Sequence, residues 1–386
     1  MPRARDPRYR APPDESDMAK AKPTNYWDYI RVEELLALQR GLETSDEKLA
    51  NDEVMFITVH QVYELWFKLI LREMRSARDL FGGRRVQEQE LSGAVRSLKR
   101  ITTIFRVAQQ HFEVMETLTT REYLAFRDKL MGASGFQSAQ LRQVEILFGL
   151  DENERIPLGI EASYKQALKA FGGGPSPALK RVERSLVDMP TLKSAIDSWL
   201  YRTPIDGVGP NDKKAAKELD RFVESFLAAH ARCVDAGRDR ALSLGIGAAD
   251  VERLRERYEG EKRATRAFLE PTEAEGGERL RRVRCAMIFI ETYRDLPLLS
   301  WPREVLDALV ETEQLFVLFR QRHARVVERV IGRRTGTGGS AGVEYLDQTA
   351  LKYRIFRDLW AVRTLQLPQS AAPELRNAKF YGFRVE

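Results

Sequence analysis

Apolar residues along this chain recur with a helical period over most of its length. In the segment 87–118, for example, Leu91, Val95, Leu98 and Ile101 follow one another at intervals of three or four. Residues with this spacing lie on one face of an α-helix. The sequence has no stretch of useful length in which apolar and polar residues alternate as they do in a strand. The pattern therefore predicts an all-α protein.

Glycine-rich and proline-rich positions divide the helical pattern into separate elements. Gly82 and Gly83 end the most apolar helix, and residues 172–177 are expected to form a surface loop. The predicted helices cover residues 32–42, about 54–81, 87–118, 119–130, a segment from about 139, 280–293, 305–331 and 353–365.

Composition predicts one ordered domain with an N-terminal arm and a C-terminal tail. Residues 1–24 mix Arg, Asp and Pro without an apolar period, so we expect a disordered N-terminal arm. Residues 25–370 are expected to form a single all-α domain. Within it, residues from about 210 to 280 are rich in Glu, Arg, Lys and Ala, which predicts a charged helical excursion. Residues 371–386 are expected to be a C-terminal tail.

The overall composition is that of an ordinary globular protein with a large core. Of the 386 residues, 43% are hydrophobic and 31% are charged. The net charge of +6 is a small excess on a heavily charged surface, so we expect no nucleic-acid partner. We find neither a membrane-spanning apolar run nor a secretory signal. Cys233 and Cys285 are expected to be free thiols, and the protein is expected to be cytoplasmic.

Two of the four histidines lie in the most distinctive segments of the chain. His60 lies in the apolar run 56–67, and His323 precedes the glycine-rich stretch 336–342. No His, Cys or Asp lies at ligand spacing from His323, which excludes a structural zinc site. Haem remains compatible, because the porphyrin supplies four of the iron ligands. Spacing alone favours, for either histidine, a core residue that is hydrogen-bonded to a neighbouring carbonyl group.

Two further segments could contact a small ligand. Tyr123 and Arg127 share a helix face, and a guanidinium group beside a phenol is a good receptor for a carboxylate. A surface arginine paired with Asp128 or Glu122 is an equally open interpretation. The glycine-rich stretch does not fit a nucleotide loop, because a helix precedes it and no Lys follows it. Its small residues would let the backbone and the Thr337 hydroxyl approach a ligand closely.

Three long blocks of this sequence resemble the tryptophan 2,3-dioxygenase family. They are residues 52–68, residues 126–138 and residues 323–340, in the order and with the separations of that family. The resemblance extends from Asn25 to about Pro368. It implies an all-α, haem-binding helical bundle of the tryptophan/indoleamine dioxygenase type with a helical insertion. Such an enzyme inserts both atoms of O2 across the indole C2–C3 bond of L-tryptophan to give N-formyl-L-kynurenine.

The resemblance also implies one haem b per subunit, ferrous in the active form, and a homotetramer. In it, His323 is the iron ligand, His60 is the catalytic histidine that faces the indole N–H, and Phe56 packs on the indole. The other expected site residues hold the substrate carboxylate (Tyr123, Arg127), reach its ammonium end (Thr337), border the haem pocket (Ser134, Gly135), meet a haem propionate (Arg142), or complete a neighbouring subunit's site (Tyr26, Tyr29).

Two positions depart from the family pattern. Asn51 stands where the family usually has His, and Ala341 replaces a second Ser after Ser340. Neither is expected to contact the substrate or the haem. The residues leave two other functions open. One is a related haem enzyme that mono-oxygenates an indole or a substituted tryptophan in a biosynthetic pathway, and the other is a non-enzymatic haem sensor or helical scaffold.

Overall fold

The computed structural model describes residues 24–83, 86–130, 137–157, 164–169, 173–245, 247–334 and 342–382. Its α-helices are α1 (Tyr26–Tyr29), α2 (Val32–Leu36), α3 (Asn51–Phe81), α4 (Glu88–Met115), α5 (Thr120–Phe126), α6 (Ala139–Phe148), α7 (Tyr164–Ala167), α8 (Pro177–Leu186), α9 (Leu192–Arg202), α10 (Ala215–Leu242), α11 (Ala248–Leu269), α12 (Gly277–Thr292), α13 (Ser300–Ile331), α14 (Val343–Lys352) and α15 (Arg357–Thr364). Short 3-10 turns cover Asp46–Lys48, Arg127–Leu130, Glu152–Glu154, Glu273–Glu275, Pro297–Leu299, Gln369–Ala371 and Ala378–Tyr381.

The all-α prediction is confirmed, since the described ranges contain no strand beyond one isolated bridge between Ile205 and Val208. The long helices begin and end close to their predicted limits. The predicted helix 32–42 was too long, because α2 ends at Leu36. The predicted helix 353–365 begins only at Arg357, and α14 before it was not predicted.

The chain divides into two compact units, residues 1–58 and residues 59–386, and the division falls inside α3. In the first unit, the Asn25 side chain caps α1 by accepting the Asp28 backbone N–H at 2.8 Å. The Trp27 indole donates to Glu33 at 3.1 Å. Large apolar side chains remain exposed here, among them Tyr26 at 74% and Tyr29 at 77%. The domain limits predicted from composition stay predictions.

The core of the second unit is built around the long helix α13. It packs along α4 and against α14, and aromatic rings fill the interface with α4. Phe105 stacks on Phe316 with ring centroids 4.9 Å apart, and Phe112 lies 5.3 Å from Phe319. All four rings are buried. Burial of each such side chain contributes about 1.5–3 kcal/mol, so this interface holds α4 and α13 in a defined register.

Other helices pack in pairs around this core. Helix α6 packs on α8, α9 packs on α12, and α10 packs on α11. A buried carboxylate sets the chain path between α14 and α15: Glu313 of α13 accepts the backbone N–H groups of Ile355 at 2.5 Å and Phe356 at 2.9 Å, and the indole N–H of Trp360. These bonds explain why residues 353–356 do not continue a helix.

Helix α3 is long and apolar enough to cross a membrane by length and composition, which the sequence analysis did not expect. A core helix of a soluble protein passes the same test. In α3 the side chains of Tyr63, Phe67, Ile70 and Met74 are buried inside the protein. One side of this helix is therefore used for packing, while Leu65 at 47% and Leu69 at 41% remain exposed on another.

Candidate functional site

His323 lies near the end of α13 with its ring held against aromatic side chains. The ring is half-buried and stacks on Phe112 of α4, with centroids 5.7 Å apart and an interplanar angle of 8°. Burial lowers the pKa of His323 to about 4, and the nearby charges of His60, Arg142 and Arg320 add to that effect. The imidazole is therefore neutral at pH 7, which is the form that binds a metal ion.

His60 lies on α3, on a side of the helix that remains exposed. Its neighbour Tyr63 ties α3 to the core, because the phenol donates to the Ala108 carbonyl at 3.1 Å and its ring lies 5.0 Å from Phe112. His60 and His323 are close enough for the charge of His60 to lower the pKa of His323. The structure thus brings the two predicted histidines to one place from helices far apart in sequence.

Tyr123 and Arg127 are brought together at the end of α5. The Arg127 guanidinium group hydrogen-bonds to the Tyr123 phenol. Burial raises the pKa of Tyr123, and the positive charge of Arg127 opposes this shift. Glu122, an alternative partner for Arg127, caps the helix by accepting the Thr119 backbone N–H at 2.8 Å. The pair has the donors that a carboxylate receptor needs.

Arg142 belongs to a buried cluster of charges that was not predicted. The Glu145 carboxylate contacts Arg142, Arg155 and Arg320, each at 2.8 Å. Burial would raise the pKa of Glu145, but the three guanidinium charges outweigh it and hold the pKa at about 2. The sequence carried two signals: Glu145 lies three residues after Arg142, and Arg320 lies one turn before His323.

These residues fit a haem group. A neutral imidazole against an aromatic wall is a suitable single axial ligand. Within the described ranges, no group of three or more His, Cys, Asp or Glu residues could hold a metal ion by itself. The buried Nε atoms of Arg142 and Arg320 have no hydrogen-bond partner among the residues that the structure describes. Buried cationic donors of this kind suit an anionic group such as a haem propionate.

The remaining predicted site residues are less informative. Ser134, Gly135 and Thr337 lie outside the described residues. Phe56 is half-buried in the part of α3 that belongs to the first unit. Tyr26 and Tyr29 are exposed on α1, as described above. The roles implied for these residues by the family resemblance stay predictions.

A cavity of about 460 Å³ lies between α3, α8 and the start of α6. Glu64 and Lys68 of α3 line it, and Gln140 donates to the Glu64 carboxylate at 2.8 Å. Its walls are largely charged or amide side chains, which suit an indole ring poorly. None of the predicted substrate-binding residues that the structure describes lines it, so we do not assign it to the substrate.

Comparison with known proteins finds the same similarity over nearly the whole chain. A family model described as tryptophan 2,3-dioxygenase matches residues 13–366. Tryptophan 2,3-dioxygenase of Sorangium cellulosum is 55% identical over 98% of this chain and 92% of its own length. Tryptophan 2,3-dioxygenase 2 of Ralstonia nicotianae is 50% identical over 95% and 99%. A tryptophan 2,3-dioxygenase-like protein of Xanthomonas campestris is 48% identical over 70% and 99%.

Proposed function

This chain belongs to the tryptophan 2,3-dioxygenase family, and from that premise we propose how its residues perform the family's reaction. The enzyme inserts both atoms of O2 across the indole C2–C3 bond of L-tryptophan and gives N-formyl-L-kynurenine, the first step of tryptophan catabolism. No relative supports the biosynthetic mono-oxygenase alternative. The observation that best supports the site is the neutral imidazole of His323 beside His60 and the buried arginines.

The family is haem-dependent, and we assign the cofactor as one haem b per subunit that is ferrous in the active form. His323 would hold the iron through its imidazole, and Arg142 would hold a propionate through its Nε–H group. The stacked Phe112 ring supports this role, since it restricts the orientation of the imidazole. The buried Arg142 Nε, which has no partner among the described residues, supports the propionate contact.

When bound, the haem iron supplies the activation of O2. The protein positions the amino acid for it. Arg127 binds the substrate carboxylate through two N–H groups, Tyr123 donates its phenol hydrogen, and Thr337 contacts the ammonium end. Phe56 packs on the indole, and a ring nitrogen of His60 accepts the indole N–H and so orients the C2–C3 edge. Ser134 and Gly135 border the pocket.

The N-terminal aromatic residues support a homotetramer in which this segment completes a neighbour's site. Tyr26 and Tyr29 are exposed on α1, and exposed aromatic side chains close together suit an interface with another subunit. We further propose residues 25–370 as one domain that includes a charged helical excursion at 210–280, with an N-terminal arm at 1–24 and a C-terminal tail at 371–386. L-tryptophan and O2 are the partners, neither nucleic acid nor membrane is involved, and the location is cytoplasmic.

The visible spectrum of the purified protein tests this assignment. We expect a haem Soret band that shifts when L-tryptophan is added, and a product whose mass exceeds that of tryptophan by two oxygen atoms. A gain of one oxygen atom would instead favour the mono-oxygenase. A haem-loaded, reduced protein that leaves tryptophan unchanged would favour a sensor or scaffold.

A further inference from the structure

We propose that the buried cluster of Arg142, Glu145, Arg155 and Arg320 raises the reduction potential of the iron that His323 holds. The inference rests on the proposed function and deepens it, because it gives Arg320 and Glu145 a role in setting the oxidation state of the cofactor. These side chains are positioning residues, since they act on the iron through space and through the axial imidazole.

The cluster carries more positive than negative charge in a place that water does not reach. The Glu145 side chain is fully buried, and the side chains of its arginine partners are 4% exposed for Arg142 and 7% exposed for both Arg155 and Arg320. One carboxylate thus faces three guanidinium groups. Among the residues that the structure describes, these arginines have one further carboxylate contact, between Arg155 and Glu152 at 2.7 Å. Glu152 is 40% exposed and is shared with Lys165.

Aromatic faces solvate these cations without neutralising them. The Arg320 guanidinium carbon lies 4.3 Å from the ring centre of Phe316 and 5.0 Å from that of Tyr353. Arg155 lies 4.4 Å from the ring centre of Tyr164. Cation–π contacts stabilise a charged guanidinium but leave its charge in place. One buried guanidinium nitrogen on each arginine has no acceptor among the described residues. The proposed propionate would take that of Arg142, and those of Arg155 and Arg320 would still have no anionic partner, so the positive charge of these two is incompletely compensated.

The cluster lies beside the axial imidazole. Arg320 precedes His323 by three residues, so the two side chains share a face of α13. The charges of Arg320 and Arg142 both reach the His323 ring. Reduction of haem iron adds one electron to Fe(III) to give Fe(II) and removes one positive charge. Nearby positive charge therefore favours the ferrous state, which is the state that binds O2.

Opposite charge changes in this cluster provide the test. Arg320→Gln removes a positive charge and should lower the potential, whereas Glu145→Gln removes a negative charge and should raise it. Arg320→Lys keeps the charge and should leave the potential near that of the parent. The haem-loaded proteins are titrated spectroelectrochemically with dithionite as the reductant and soluble mediators. At a fixed potential we expect each Gln variant to change the Fe(II)/Fe(III) ratio by about threefold or more. That factor is about 28 mV for a one-electron couple, in which tenfold is about 59 mV.

Arg282→Gln is the matched control. Arg282 is equally buried, at 3% exposure, but it contacts the backbone carbonyls of Tyr201, Thr203 and Val208 in another part of the unit. Its loss should leave the potential unchanged. Shifts of opposite sign in the two Gln variants support the proposal. Shifts of the same sign, or none beyond that of the control, overturn it.

The proposal remains testable even if one of the variants does not fold. If Glu145→Gln does not accumulate as folded protein, the comparison of Arg320→Gln with Arg320→Lys decides, since equal potentials in that pair contradict the proposal. A parent protein without a Soret band would refute the proposed haem site itself. A normal Soret band with unshifted potentials in the variants refutes only the role of the cluster.

Discussion

Replacing Glu313 tests whether one buried carboxylate determines the path of the chain around α15. Its side chain is 1% exposed and accepts three N–H groups: two from the backbone at Ile355 and Phe356, and one from the Trp360 indole. In Glu313→Gln, the amide oxygen can still accept the backbone groups. The new NH2 group would face the Trp360 indole N–H, so two donors would meet in a buried place.

The expected cost follows from those contacts. Leaving a buried donor unpaired costs about 1–3 kcal/mol, and the two remaining bonds lose the strengthening that a charged acceptor gives. We therefore expect Glu313→Gln to lower the free energy of unfolding by about 2–4 kcal/mol. The assay is urea denaturation of the haem-loaded protein, read as a shift of the midpoint at constant slope.

Two further variants make this experiment specific. Glu311→Gln removes a carboxylate that is 46% exposed and paired with Arg106, and should change stability by no more than about 0.5 kcal/mol. Trp360→Phe removes the indole donor, so it should cost less in the Glu313→Gln background than alone. A loss below about 0.5 kcal/mol in Glu313→Gln, or strict additivity with Trp360→Phe, would contradict the role given to this carboxylate.

Three other changes test the site. His323→Ala should reduce haem content at least about tenfold. His111→Ala is the control and should retain the haem, because the His111 ring instead accepts the Trp66 indole N–H. Equal haem content in the two variants would refute the ligand assignment. Arg127→Ala should lower kcat/KM for tryptophan about thirtyfold, which corresponds to a loss of about 2 kcal/mol in transition-state binding. Unchanged kinetics would exclude Arg127 as the carboxylate receptor, and Arg121→Ala on α5 is the control. Glu145 has a folded-state pKa of about 2 against a usual 4.5, so its stabilisation is present above pH 4.5 and is lost as the pH falls toward 2. The difference of about 2.5 pKa units corresponds to roughly 3 kcal/mol. The urea midpoints of the parent and of Glu145→Gln should therefore lie closer together at pH 3 than at pH 5.

The apolar period predicted the long helices well because each carries a continuous buried face. Helices α3 and α13 begin and end within a few residues of the predicted limits, apart from an earlier start of α13 at Ser300. Helix α14 was missed because it has only ten residues and directly follows the glycine-rich stretch. The start of α15 could not be predicted, because it depends on Glu313, more than forty residues earlier in the chain.

In the site, too, contacts between residues close in sequence could be predicted, whereas contacts between distant residues could not. Tyr123 and Arg127 are four residues apart, and their hydrogen bond follows from helix geometry. His60 and His323 could be brought together only through the family resemblance, since spacing alone left each open to a structural role. Sequence does not indicate that Arg155 and Arg320 are buried, because arginine usually lies at the surface and only tertiary packing places these two around Glu145.

The burial of these charged side chains around Glu145 has an energetic cost, which indicates what the cluster does. Removing charged groups from water costs free energy that their mutual attraction repays only in part, and apolar residues of similar volume often serve stability as well. Around Glu145 the attraction between the charges offsets this desolvation cost even less. Three cations share one fully buried anion, and each keeps an N–H group without an acceptor among the described residues. Stability is therefore a weak reason for this arrangement. An arrangement that keeps positive charge one helical turn from His323 is better explained by its effect on what that imidazole binds.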